Sequence, residues 1–67
     1  MTYERFAVLC KLTRLHRGSM TRLAAHDVLV LGHRTKDAAE SHGITPAAVS
    51  DCVHRIRRVA ELVRVAA

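Results

Sequence analysis

Tryptophan is missing, tyrosine and phenylalanine occur once each, at Tyr3 and Phe6, and proline occurs once, at Pro46. So few rings leave no stacking platform of the kind on which single-strand binders lay successive bases. Cysteine occurs twice, at Cys10 and Cys52. With no secretory leader, that pair points to a reducing bacterial cytoplasm and not to a disulfide framework. No uncharged apolar run approaches the roughly 18 residues of a membrane span, so no membrane partner is expected. Five histidines accompany the cysteines, yet none falls at a ligand spacing such as C-x-x-C or H-E-x-x-H, so no metal and no cofactor are expected. No nucleophile, base and oxyanion donors assemble into a set, which argues against an enzyme, and no small-molecule ligand is expected. Acidic residues are also scarce: six Asp and Glu face eleven Lys and Arg, for a net charge of +5. A polyanion is therefore the expected partner class.

What is present is helical. The 67 residues fit one small domain, 1–67, and a chain of this size buries only about 60% of its unfolded surface. Partner chains often supply the missing burial. Strand alternation, internal repeats and low-complexity tracts are all lacking, and apolar residues recur at helical spacing. Thr2 is placed to cap a first helix over roughly 3–16, with Phe6, Leu9, Cys10 and Thr13 on one stripe and Val8, Leu12 and Leu15 on another. Ser19 caps a second helix expected to reach Leu31, where Gly32 suits a left-handed stop. Asp27 falls inside the apolar arc of that helix, which suits a structural hydrogen-bonding role. Thr35 is expected to cap a short third helix, "TKDAAESH", with Asp37 favourable at its positive end. Thr45 caps a fourth helix, with Pro46 at the first helical position, where the missing N–H costs nothing. A fold of four helices, possibly five, all-α, follows.

The segment from Thr35 to about Arg58 is a short helix, a glycine turn and a longer helix, the helix-turn-helix layout. Ala39 permits a close helix crossing, Gly43 permits positive φ in the turn, and Ile44 plugs the crossing. Val49 and Cys52 anchor the longer helix. At roughly 100° per residue, Val49, Val53, Ile56 and Ala60 share its inner face, whereas Ala47, Ser50, Asp51, His54 and Arg58 share the outer one. That outer face is low and polar, fit to enter a major groove about 12 Å wide.

The stretch "VLVLGHRTKDAAESHGITPAAVSDCVHRI", Val28 to Ile56, resembles the helix-turn-helix of the TrfB/KorA family of plasmid transcriptional repressors. The resemblance is carried by Val28-Leu29-Val30, Gly32, Gly43, Thr45, Ala48-Val49-Ser50 and Val53-His54-Arg55, with a looser echo in the early threonine followed by Phe6. It implies an all-α, homodimeric repressor bound to a palindromic operator. Asp51 stands where that pattern has glutamine and Pro46 where it has arginine, so the operator sequence does not carry over. The family's C-terminal dimerisation extension has no counterpart after the motif. In size and layout the chain is also similar to the minimal anti-CRISPR-associated regulators of phages and mobile elements.

These observations give a set of expected roles. Thr45, Pro46, Ala47, Ser50, Asp51 and His54 are the candidates for base contact. Asp51 is equally suited to an i,i+4 pair that aims Arg55. Arg34, Thr35, Lys36, Arg55, Arg57 and Arg58 are the candidates for phosphate contact. Beyond Arg58, a continued helix would let Val59, Ala60 and Val63 extend the inner stripe. Leu62, Val65 and Ala66 would face elsewhere and, with Val8, Leu12 and Leu15, form a dimer interface; otherwise the last residues fray. The function expected is repression of its own phage or plasmid operon, an anti-CRISPR operon included, through a double-stranded inverted-repeat operator. A protein-interaction module, such as an antirepressor docking through the same surface, is the alternative.

Overall fold

A computed structural model describes residues 1–15 and 19–66, with the backbone alone described at Ala66. It contains α1 (Tyr3–Leu12), α2 (Met20–Leu29), α3 (Thr35–Ser41) and α4 (Pro46–Ala66), and among the described residues there is no strand. Among the described residues there is no fifth helix of the kind the sequence allowed: the tail is continuous with α4. Among the described residues no helix is long and apolar enough to cross a membrane.

Three of the expected caps are in place. Thr2, Ser19 and Thr45 each accept a hydrogen bond from a backbone N–H three residues on, satisfying donors that a helix start leaves orphaned. The expected cap at Thr35 is overturned. Arg34, in extended conformation, is the N-cap of α3 and makes no side-chain capping bond, so Thr35 is the first helical residue.

Helix ends also differ from the sequence expectation. α1 stops at Leu12, short of residue 16, which lies outside the described residues. The Thr13 hydroxyl turns back to the Leu9 and Cys10 carbonyls, and Arg14 adopts a left-handed φ of 57°. Arg14 N–H then donates to Lys11 O and Leu15 N–H to Cys10 O, the double bond of a Schellman stop. α2 ends at Leu29, two residues early, and Gly32 turns left-handed at φ 77° to let His33 N–H reach the Asp27 carbonyl. α3 ends as the sequence implies. Gly43 has φ 65°, and the N–H groups of Gly43 and Ile44 bond Glu40 O and Ala39 O.

The core is assembled from all four helices: Phe6, Leu9 and Cys10; Ala24, Ala25 and Leu29; Ala38 and Ala39; Val49, Cys52, Val53 and Ile56. Alanines from α2 and α3 line its middle, so the backbones approach closely and α4 seats against both. Leu15, Val28, Val30, Ile44, Val59 and Ala60 pack around this core. Leu15 therefore already has apolar cover in the single chain, unlike Val8 and Leu12, which are exposed. Val63 does not extend the inner stripe; it is 45% exposed, because α4 outruns the three helices that could cover it.

Candidate nucleic-acid interface

α4 is held by one face only. Val49, Cys52, Val53 and Ile56 are buried, and Thr45 at the N-cap fixes where the helix begins. The opposite face carries Pro46, Ala47, Ser50, Asp51, His54 and Arg58, all exposed. Nothing on that face over the first two turns is bulkier than the His54 ring. A large partner can therefore approach the helix backbone closely.

One flank of this face meets α3. Val28, Thr35, Ser50, Val53, His54 and Arg57 line a shallow cleft of about 160 Å³. That is well below the roughly 300–1,000 Å³ of a small-molecule pocket, and its rim is polar where such pockets are mostly apolar. The cleft brings together Thr35 from α3 with Ser50, His54 and Arg57 from α4, residues on two separated segments. Val28 and Val53 are the members not expected at the site: Val53 was placed on the inner face of the helix, and Val28 figured only in the family resemblance.

The basic candidates divide by position. Arg34 and Lys36 are exposed at the start of α3. On α4, Arg57 borders the cleft. Arg55, two residues earlier, lies roughly 160° away around the helix, and Arg58 projects between these flanks on the outer face. Arginine thus stands on both sides of the low polar strip. The pairing of Asp51 with Arg55 is absent: among the described residues, carboxylate ion pairs join Asp27 to His26 and His42, and Glu61 to Arg64. Asp51 and Arg55 both point freely to solvent.

The two cysteines are structural. Burial pushes the Cys52 thiol up, with the nearby Cys10 thiol adding to it, and burial likewise raises Cys10 against the opposing influence of Arg22. Both thiols stay protonated and behave as small apolar side chains. Among the described residues no cluster of three or more His, Cys, Asp or Glu side chains has the geometry to hold a metal ion.

Exposed apolar residues lie on α1 and on the last turns of α4, and also at Met20, Leu23 and Leu31. Val8 and Leu12 share a face of α1, and Leu62 and Val65 one of α4; Leu62 is 61% and Val65 76% exposed. Ala66 closes the helix, and its side chain lies outside the described residues.

Neither the curated proteins nor the solved structures contain a match to the chain. The family model of the TrfB plasmid transcriptional repressor matches residues 1–65. That match takes in all four helices but for the last residue of α4, nearly the full sequence and not the helix-turn-helix alone. The chain belongs to the TrfB plasmid transcriptional repressor family.

Proposed function

We propose that this repressor binds a double-stranded inverted-repeat operator as a homodimer, each protomer inserting the first half of α4 into a major groove to shut down a plasmid or phage operon that includes its own gene. The observation that carries this reading is the low polar strip of α4 with arginines on both flanks. A helix lying in a groove has base edges beneath it and a phosphate backbone on either side. Ala47, Ser50, Asp51 and His54, with Thr45 and Pro46 at the entrance, then face bases. Arg57 faces one backbone, together with Arg34, Thr35 and Lys36 of α3, while Arg55 faces the other and Arg58 follows the groove. Asp51, which makes no ion pair among the described residues, is available to accept from a cytosine amino group. Leu62 and Val65, with Val8 and Leu12, supply the apolar surface of the dimer, joined by Ala66 and the uncovered part of Leu15.

DNA selected from a random pool by the pure protein should converge on an inverted repeat. Ser50→Ala and His54→Ala should each lose roughly 1–3 kcal/mol on that sequence and almost nothing on random DNA. Equal losses on both would show that these residues do not read sequence. Failure to select any DNA would favour a protein-docking role for the same face.

A further inference from the structure

α3 is the shortest of the four helices. It is seven residues long, buries only Ala38 and Ala39, and has no side-chain cap at its start. Two alanines offer little apolar area to fix a helix in rotation or tilt. Yet its first turn carries Arg34, Thr35 and Lys36, the residues assigned above to phosphate, which are useful only in a fixed place.

One residue of α2 holds both ends of α3. The backbone carbonyl of Asp27 accepts the N–H of His33 at 2.9 Å, just before the helix begins. Its carboxylate oxygen Oδ2 accepts from His42 Nε2 at 2.8 Å, just after the helix ends. The second oxygen, Oδ1, lies 3.5 Å from His26 Nδ1. His26 in turn stands edge-on to the Phe6 and Tyr3 rings, with centroids 5.5 and 5.9 Å away. The bond to His42 spans fifteen positions and, among the described residues, is the side-chain hydrogen bond that joins two different helical segments. Asp27 is partly buried, and its carboxylate has these two imidazoles as partners.

From this arrangement we infer that Asp27 is a positioning residue for DNA binding: acting through His42 and the His33 backbone, it brackets α3 and sets where Arg34, Thr35 and Lys36 meet the phosphates. This rests on the proposed DNA reading for its functional half, but the bracket itself is testable without DNA. Asp27→Asn keeps the size of the side chain and removes the charge that makes its hydrogen bonds strong.

Two measurements decide. In amide hydrogen exchange on the free protein, Asp27→Asn should speed exchange at Ala38, Ala39 and His42 by about tenfold, with Val53 and Ile56 unchanged. Uniform acceleration throughout the protein would reduce Asp27 to a general stabiliser and overturn the bracket. In binding to the selected operator, Asp27→Asn should weaken affinity by about tenfold. Adding Lys36→Ala to it should then cost little more, because that contact is already lost. Arg55→Ala, on the far flank of α4, should instead remain fully additive. Full additivity of Asp27→Asn with Lys36→Ala would overturn the positioning role. Should the wild type select no DNA, the functional half falls with the DNA reading, and the exchange result alone decides whether Asp27 brackets α3.

Discussion

Replacing Leu62 and Val65 together with glutamate should abolish the proposed dimer while leaving the fold intact. The two side chains are 61% and 76% exposed in the single chain, so most of their burial is still to be gained on association. Complete burial of such side chains is worth roughly 1.5–3 kcal/mol each, which leaves roughly 1–2 kcal/mol for each once the covered fraction is discounted. A two-fold axis counts every residue twice. Four side chains then contribute about 4–8 kcal/mol, or about three to six powers of ten in Kd, before the added cost of confining four carboxylates. The neighbouring Glu61–Arg64 pair, 2.7 Å apart on an exposed turn, adds little in comparison, as surface pairs usually do. Ile56 and Val53 lie further back along α4 and keep their packing, so helical content should not change. Sedimentation velocity over a wide concentration range, run beside circular dichroism, measures both. A variant that remains dimeric with operator affinity intact would remove the C-terminal turns from the interface. A wild type that sediments as a monomer at high concentration would refute the dimer altogether.

Three further outcomes follow from the same geometry. Replacing Arg57 by alanine should flatten the dependence of log affinity on log salt by about one unit, since one phosphate contact and its released counterions are lost; an unchanged slope in a salt titration places Arg57 off the DNA. Arg14 sits at φ 57°, a region that costs a non-glycine residue roughly 1 kcal/mol. Arg14→Gly should therefore raise stability slightly, by up to about 0.6 kcal/mol net of glycine's greater unfolded-state freedom, and a lower melting temperature would contradict that backbone assignment. Burial pushes the Asp27 carboxyl up, but hydrogen bonds from His42 and His26 outweigh it and hold it below its ordinary value. Its contribution to stability is therefore complete above the unfolded carboxylate range near pH 4 and fades as pH falls through the lower folded value. The stability gap between wild type and Asp27→Asn should narrow on acidification in denaturant melts, and a gap independent of pH would count against the charged hydrogen bonds.

The readable part of this protein was the part governed by local chemistry. Thr2, Ser19 and Thr45 announced helix starts because a short hydroxyl side chain meets orphaned N–H groups wherever a helix begins. Gly32 and Gly43 announced stops because left-handed backbone suits glycine. The inner and outer faces of α4 followed from 3.6-residue periodicity, and so did the residues placed on the candidate interface. Features set by other segments were hidden. Arg14 takes a left-handed conformation with no glycine to signal it, because Leu15 is drawn onto the core. Thr35 looked like a cap, but the loop held by Asp27 leaves Arg34 extended and begins the helix one residue later. Asp27 was legible as a carboxylate in need of a partner; that the partner is His42, fifteen positions away, only the packing of α2 against α3 decides. The family match to residues 1–65 extends well past the stretch on which the resemblance was visible by eye.

α4 runs from Pro46 to Ala66 as one helix, with neither glycine nor a second proline to bend it. In the proposed dimer this makes the helix a ruler. The base-reading residues, Thr45 to His54, centre near position 49 and the mating residues Leu62 and Val65 near 63 or 64, so about 22 Å of rigid rod separates them at about 1.5 Å per residue. Two such rods meeting at their tails across a two-fold axis would hold their reading ends at most about 44 Å apart, and inclined to one another they would span the roughly 34 Å of one turn of B-form DNA. The spacing of the operator's half-sites would then be stored as a residue count within a single helix, and the sequence between Arg55 and Leu62 would act through its length as much as through its side chains.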